Sequence, residues 1–233
     1  QVGSPISSFY GYTNDGFFQD AADVAALDQA GAAIGRFRRK DLNGDGVING
    51  DDLGVIGNPH PDLTMGLNLG LDYKGFDFSV MLFASIGNDI YNYNKLFTHF
   101  GQFNSNMSKD VLTDTWTENN RNASLPKLDG GDTFASQSSD FYVEDGSYLR
   151  AQNITLGYTI PTAGISSISS LRVYVQAQNA FTITGYSGID PALSNANIGT
   201  AVDGRMQNDG WTGYDLGNYP ASKIFMIGVN AAF

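Results

Sequence analysis

Oxygen-bearing side chains between positions 41 and 52 form the clearest chemical pattern in this sequence. The segment reads Asp-Leu-Asn-Gly-Asp-Gly-Val-Ile-Asn-Gly-Asp-Asp, which matches the D-x-[DN]-x-D-G-x-I-x-x-x-[DE] spacing of calcium-binding loops. Calcium is a hard cation that takes about six to eight oxygen ligands, and this spacing can bring such oxygens to one point. We therefore predict a calcium site in this segment.

The motif assigns a role to each of its ligand positions. Positions 1, 3 and 5 supply side-chain oxygens, position 7 a backbone carbonyl, position 9 a water-mediated contact and position 12 a carboxylate. The expected ligands, in that order, are Asp41, Asn43, Asp45, Val47, Asn49 and Asp52. Flanking helices are not indicated, so we expect a structural clip for a surface loop and not a calcium sensor. The alternative is an Asp/Asn/Gly-rich solvent loop without metal.

Composition argues against several other kinds of chemistry. The 233 residues carry a formal net charge of −11 with only 13 Lys and Arg, which argues against a nucleic-acid partner because such sites need clustered basic residues. The one basic cluster, Arg36 to Lys40, is expected to be a solvated loop. Without Cys there is no disulfide, thiol nucleophile or thiolate metal site. His60 and His99 are the only histidines, and no G-x-S-x-G or H-E-x-x-H motif occurs, so we expect no enzyme.

The elements that must position the calcium-type loop are strands, because apolar residues recur at every second position. Of the 24 acidic residues only two are Glu, so helical surfaces are not indicated. The alternation predicts five strands, at residues 63–73, 76–85, 148–159, 171–178 and 224–233. A tight turn at Lys74-Gly75 makes the first two a hairpin. In the third strand a phase slip predicts a bulge near Gln152-Asn153, which would turn Arg150 away from the apolar face.

The connections between the strands are sorted by length. Short links at 74–75 and 161–170 alternate with long polar segments at 87–146 and 182–221, and a third long segment precedes residue 63. This asymmetry is typical of outer-membrane barrels, and each strand has about the 9–11 residues that span a bilayer. Five strands cannot close a membrane barrel, which needs about eight. The sequence also begins without Met or an apolar signal segment, so we expect a portion of a longer protein.

The predicted fold is therefore all-β, an antiparallel transmembrane β-barrel of which this chain holds the last five or so strands with long extracellular loops. Residues 1–62 are expected to form an extracellular segment that contains the calcium-type loop 41–52. Residues 63–233 are expected to form barrel strands and their loops. On this view Asp72 and Asp77 face the lumen, opposite the Leu, Phe and Val series.

Two further groups of residues have expected roles in such a barrel. Lumen positions that could contact substrate are Arg172, Tyr174, Gln176 and Gln178, and a hydrated wall is the alternative for each. The last strand ends on an aromatic residue at the expected periplasmic end, and its pattern resembles the signal read by the outer-membrane assembly machinery. The residues that carry this pattern are Gly228, Ala231 and Phe233. An ordinary edge strand that happens to end in Phe is the alternative.

The order of several motifs is similar to that in the C-terminal region of the SusC/RagA family of TonB-dependent transporters. The similarity extends over nearly the whole chain, from about Tyr10 onward. The motifs are Asp41-Leu-Asn-Gly-Asp-Gly-Val-Ile, Val55-Ile-Gly-Asn-Pro-His-Pro, Tyr73-Lys-Gly-Phe-Asp-Phe, Asp145-Gly-Ser-Tyr-Leu-Arg-Ala-Gln-Asn-Ile-Thr-Leu-Gly-Tyr, Gly188-Ile-Asp-Pro and Asn218-Tyr-Pro-Ala-Ser-Lys. Their order is more specific than any one of them.

The resemblance implies an outer-membrane barrel of about 22 strands in a Gram-negative, Bacteroidetes-type bacterium. It implies as partners the remainder of the barrel with its plug, the TonB complex, membrane lipid and a SusD-like lipoprotein lid. The implied activity is import of glycans or oligopeptides. The competing interpretation is a secreted calcium-stabilised β-sandwich that acts as an adhesin or glycan-binding module. A dockerin would carry a second calcium loop, and this sequence has one.

Overall fold

Five long strands form the main sheet of the computed structural model, which describes residues 3–100, 106–162, 168–193 and 211–233. Each long strand pairs antiparallel with the next one along the chain, so the sheet is a simple meander. The strands are β1 (Phe9–Tyr12), β2 (Asn14–Phe17), β3 (Asp28–Gln29), β4 (Phe37–Arg39), β5 (Val47–Ile48), β6 (Leu53–Gly57), β7 (Leu63–Tyr73), β8 (Phe76–Ile86), β9 (Asp89–Asn92), β10 (Val143–Asp145), β11 (Tyr148–Ile160), β12 (Ser170–Gln178), β13 (Thr182–Thr184), β14 (Tyr214–Asp215) and β15 (Ile224–Ala232). The long ones are β7, β8, β11, β12 and β15.

The helices of the described residues are short. They are α1 (Ala21–Ala25), α2 (Lys95–Thr98) and α3 (Asp110–Thr113), with two 3-10 turns at Gly50–Asp52 and Asp140–Tyr142. Within the described ranges, we find no helix with the length and apolar character needed to cross a membrane.

The chain divides into two compact units. The first comprises residues 1–60, 89–144 and 193–218, and the second comprises residues 61–88, 145–192 and 219–233. The long polar connections of the sequence thus contribute most of the first unit, and the alternating strands make up the second. Of the 24 acidic residues 19 belong to the first unit, against nine of the 13 basic residues, so that unit carries nearly all of the net negative charge.

In the second unit the strand predictions are confirmed. The alternation predicted residues 63–73 for the first long strand, and β7 has those bounds. The other four predicted bounds agree with the structure to within one residue. The β7–β8 turn is tight as predicted, since Lys74 and Gly75 have φ of 50° and 84°, the left-handed pair of a type I′ hairpin turn.

The predicted bulge is also confirmed. Where β11 pairs with β8 the register shifts between Ala151 and Asn153, so Gln152 is the extra residue. Arg150 then lies opposite Phe83 and Asn153 opposite Met81, which places both β11 residues on the same face of the sheet. The bulge therefore turns Arg150 to the polar face, as expected.

The two faces of the sheet differ sharply in polarity. Register places apolar side chains side by side in rows that cross all five strands, and many of them are exposed, Leu71 by 66% and Ile227 by 85%. Two such rows are Leu71, Phe78, Leu156, Val175, Ile227 and Leu69, Val80, Ile154, Ala177, Phe225. The opposite face has rows of mainly small or polar residues, such as Asp72, Asp77, Gly157, Tyr174, Gly228 and Gly70, Ser79, Thr155, Gln176, Met226. A sandwich would bury the apolar face under a second sheet, whereas here it is open.

The first unit has a core of aromatic rings. Phe9 makes edge contacts with Tyr91 and Tyr214, at centroid distances of 5.7 and 5.1 Å. Tyr91 also stacks on Tyr142 at 5.3 Å. The short strands around this core pair as β1–β6, β2–β4, β3–β5 and β10–β9–β14.

The basic cluster is not the solvated loop that the sequence indicated. Arg39 is only 3% exposed, and its guanidinium lies over the rings of Tyr12 and Phe37. Arg36 pairs with Asp129 at 2.6 Å. The expectation was wrong because the partners of these side chains come from distant parts of the chain.

Candidate functional site

The calcium-type loop is built around the side chains of its first three expected ligands. The Asp41 carboxylate accepts hydrogen bonds from the amides of Gly44 (2.6 Å) and Gly46 (2.7 Å). Asn43 accepts from the amide of Asp45 at 2.9 Å, and Asp45 accepts from the amide of Val47 at 2.8 Å. Each ligand side chain thus fixes the backbone two to five residues ahead, and the loop wraps around these oxygens.

The last two expected side-chain ligands close the loop. Asn49 begins the 3-10 turn and accepts from the amide of Asp51 at 2.8 Å. Asp52 is fully buried, and its two oxygens accept from the amides of Leu42 (2.8 Å) and Asn49 (3.0 Å). This carboxylate therefore joins the two ends of the loop. The sequence interpretation missed that role; the Asn-x-x-Asp spacing of a capping box signals only the bond to the Asn49 amide.

The oxygen atoms that the loop offers are of the kind that calcium binds, but they do not form a close cluster of acidic side chains. Among the residues that the structure describes, no three His, Cys, Asp or Glu side chains cluster closely enough to hold a metal ion. The motif also relies on amide and carbonyl oxygens, from Asn43 and Val47, and ionised carboxylates keep acceptor capacity beyond two hydrogen bonds. The hydrogen bond from the Gly46 amide has the largest effect and lowers the pKa of Asp41; burial opposes it, and the amide of Gly44 lowers the pKa further. Asp41 therefore stays ionised, as a ligand must be.

On the polar face of the sheet an ion pair bridges two strands that are not neighbours. Arg172 on β12 donates two hydrogen bonds to Asp77 on β8, at 2.8 and 2.5 Å. The strand between them carries Gly157, where a Cβ atom would lie 2.6 Å from the Arg172 Nε. The missing side chain of Gly157 is therefore what lets the bidentate pair form.

The predicted lumen residues share this polar face. Arg172 lies against the Tyr174 ring, 4.9 Å from its centroid. Gln176 donates to Asn153 at 2.7 Å, and Gln178 is also paired with Asn153 across the β11–β12 ladder. Their predicted placement on one face is confirmed, and contact with substrate stays a prediction.

The residues of the expected assembly signal lie in or beyond β15. Gly228 is opposite Tyr174, and a Cβ atom there would lie within 2.5 Å of the ring atoms Cζ and Cε1 of Tyr174. Ala231 is opposite Leu171 on the apolar face, and Phe233 is 91% exposed. Gly228 thus has a packing role within the sheet, and the signalling role of all three residues stays a prediction.

A buried ion pair that the sequence interpretation missed lies beyond the bulge. The side chains of Arg150 and Asp190 are 9% and 10% exposed and form a salt bridge. Arg150 also donates to the hydroxyl of Thr182 at 2.9 Å. Asp190 accepts from the amides of Ala192 (2.9 Å) and Ala221 (3.0 Å). Arg150, Asp190 and Ala221 belong to three different motifs of the family resemblance, so these three motifs meet at the Asp190 carboxylate.

The electrostatics of this cluster favour the charged carboxylate. Burial alone would raise the pKa of Asp190, but the amides of Ala221 and Ala192 and the Arg150 guanidinium together lower it below its usual value. Asp190 is therefore ionised under physiological conditions and holds both ends of the connection between β13 and β15.

Comparison with known proteins gives consistent relatives. No protein-family model matches the chain. TonB-dependent receptor P3 of Formosa agariphila is 34% identical over 99% of the chain, and TonB-dependent receptor SusC of Bacteroides thetaiotaomicron is 31% identical over 83% of it. The chain spans 22% and 17% of the length of these two relatives. The relatives are receptors and not enzymes, which agrees with the prediction of no enzyme.

Solved structures give the same result for the fold. A chain of the RagAB peptide transporter superposes with a TM-score of 0.73 at 25% identity, covering 97% of this chain and 22% of that one. A chain of the RagAB peptide importer in its open-open state gives a TM-score of 0.74 at 26% identity, covering 100% of this chain and 23% of that one. These likenesses confirm the predicted fold class, with the five-stranded meander as part of a larger antiparallel barrel.

Proposed function

Because the chain belongs to the SusC/RagA family of TonB-dependent receptors, we propose that it forms part of the wall of an outer-membrane nutrient importer. The observation that carries this proposal is the five-stranded meander with one continuous apolar face and one polar face. In a bilayer the apolar rows face lipid hydrocarbon and the polar rows face an aqueous lumen. A soluble protein with the same sheet would expose far more apolar area than monomers tolerate.

The partners of the importer follow from the same family membership. The remainder of the barrel and its plug complete the pore, and the TonB complex supplies energy through the plug. A SusD-like lipoprotein closes over the extracellular side as a lid, and glycans or oligopeptides are the substrates. Residues 1–62 lie outside the cell in this proposal, and the protein resides in the outer membrane of a Gram-negative bacterium.

The calcium-type loop has a structural role in this proposal. Calcium bound through Asp41, Asn43, Asp45 and the Val47 carbonyl, with Asn49 through water, would fix the loop while Asp52 holds its ends. The hydrogen bonds that already shape the loop around these oxygens support the assignment. Bound calcium would cross-link a segment that has few backbone–backbone hydrogen bonds of its own.

The metal proposal is tested by calorimetric titration of the whole transporter with calcium. The double variant Asp41→Ala/Asp45→Ala should lose one binding event. Asp51→Ala is the matched control, because Asp51 lies in the same loop at a position that the motif does not use as a ligand. Unchanged calcium affinity in the double variant would remove the metal from the proposal.

The importer proposal is tested by isolating the tagged protein from its native membranes. We expect it in the outer-membrane fraction, soluble only in detergent, with a lipoprotein of the SusD type in the same complex. Uptake of labelled substrate should cease when the proton-motive force is collapsed. A complex that is soluble without detergent would refute the proposal.

A further inference from the structure

A groove crosses the apolar face of the sheet where β11, β12 and β15 lie side by side. Its volume is about 380 Å³. Its apolar walls are Ile154, Leu156, Val175, Ala177, Phe225 and Ile227. Register places these six side chains in two neighbouring rows of the same face. The groove therefore opens on the face that the proposed function assigns to lipid.

Ala177 is the cause of the recess. It lies between Ile154 on β11 and Phe225 on β15, and both neighbours have much longer side chains. Phe225 lines the groove on its β15 side. A single methyl group between two long side chains leaves a channel, and a flexible chain of methylene groups that fills it gains dispersion contacts that an empty channel lacks.

A positive charge lies near one end of this groove. Lys223 immediately precedes β15 and is two residues from Phe225, at most about 7 Å along an extended chain. Asn179 donates to the Ser222 carbonyl at 3.1 Å, so the chain that enters β15 stays beside the end of β12. Lys223 is exposed, and it belongs to none of the salt bridges found among the described residues.

We propose that the groove binds an acyl chain of an anionic, phosphorylated membrane lipid whose phosphate lies beside Lys223. The proposal rests on the proposed function, because the groove meets lipid only if the sheet spans a membrane. The apolar walls continue the lipid-facing rows of the sheet, and the single ammonium group is complementary to an anionic headgroup. The methylene stem of a lysine can pack along apolar surface while its charge stays at the interface.

The test uses the whole transporter in detergent and two lipids with identical chains. Dipalmitoylphosphatidic acid is the anionic probe and dipalmitoylphosphatidylcholine the neutral one, and native mass spectrometry measures how much of each stays bound. Ala177→Leu should lower the apparent affinity for both lipids about tenfold, because it fills the recess. Lys223→Gln should lower the affinity for phosphatidic acid about fivefold, and that for phosphatidylcholine by less, because the choline ammonium of the latter already neutralises its phosphate.

Matched controls separate the site from general effects on the sheet. Val173→Leu adds apolar volume to the same face of β12 outside the groove, and Lys74→Gln removes a lysine at the β7–β8 turn. Both should bind the two lipids as the unmodified protein does. If all four variants bind them equally, the lipid site is refuted while the importer proposal stands. If Ala177→Leu dissociates an oligomer without changing lipid binding, the occupant is protein and the lipid site is again refuted.

Discussion

Replacement of Asp190 by alanine should release the segments that its carboxylate holds beside the sheet. The change removes the acceptor for the amides of Ala192 and Ala221 and leaves the Arg150 guanidinium buried without its counter-ion. Loss of one partner from such a pair costs about 3 kcal/mol, at the low end of the range for buried pairs because Arg150 keeps its bond to Thr182. The equilibrium for local opening should therefore rise about 150-fold.

Hydrogen–deuterium exchange of the whole transporter measures this opening directly. Peptides covering residues 182–193 and 219–223 should exchange about 150-fold faster in Asp190→Ala, while those from β7 should not change. Asp145→Ala is the matched control, because Asp145 is exposed and accepts from the nearby Ser147 amide. The double variant Asp190→Ala/Arg150→Met removes the unpaired charge and should recover part of the protection. Less than about threefold acceleration in the single variant would refute the role given to Asp190.

Three further predictions concern the packing of the sheet and the charge of Asp190. Gly157→Ala should separate Arg172 from Asp77 and lower the free energy of unfolding, measured by urea titration, by about 1–3 kcal/mol. The control is Gly70→Ala, where a Cβ atom meets nothing within 4 Å, and it should leave the free energy of unfolding unchanged. Equal effects of the two substitutions would contradict the role of Gly157 in admitting the Arg172–Asp77 pair. Gly228→Ala should lower the yield of assembled barrel by collision with Tyr174, and Tyr174→Leu in the same chain should restore it; no restoration would indicate a signalling role instead. The folded-state pKa of Asp190 is lowered from its ordinary 3.8, so the stabilisation from its carboxylate is complete above pH 3.8 and is lost as pH falls through the lowered pKa. Exchange protection at residues 219–223, corrected for intrinsic rates, should therefore be constant from about pH 8 to 5 and fall only below about pH 4. A loss of protection that begins near neutrality would contradict this role of Asp190.

The strands could be predicted from the sequence because their environment repeats along the chain. A strand between lipid and water places every second residue in lipid, so β7 and β15 are readable from local alternation alone. The bulge at Gln152 was readable for the same reason, as a single slip in that alternation. The Lys74-Gly75 turn was predictable from a different local signal, a two-residue link that contains Gly between two alternating segments.

The first unit could not be predicted in this way, because its core is assembled from distant residues. Phe9 meets Tyr91 and Tyr214, which are separated from it by more than eighty residues in the chain, and no local period marks any of them. The same reason applies to Arg150 and Asp190, forty residues apart. Such pairs depend on how loops return to the sheet, which composition and periodicity do not encode.

The calcium-type loop lies between these two cases. Its ligand positions form a local motif, and the structure brings the side chains of Asp41, Asn43 and Asp45 into one loop as the motif implies. The part that the motif did not reveal is the burial of Asp52 and its use of both oxygens for backbone amides. A position assigned to the metal therefore also has a structural role within the loop.

Cysteine scanning of β12 tests the central claim most directly, and these 233 residues contain no Cys. Single cysteines from Leu171 to Gln178 in the membrane-embedded transporter would be labelled with a water-soluble thiol reagent and, separately, with a fluorophore that lipid-borne quenchers can reach. The proposed barrel wall predicts strict alternation, with even-numbered positions labelled from water and odd-numbered positions quenched from lipid. Water labelling at odd and even positions alike would contradict a membrane-spanning role for this sheet.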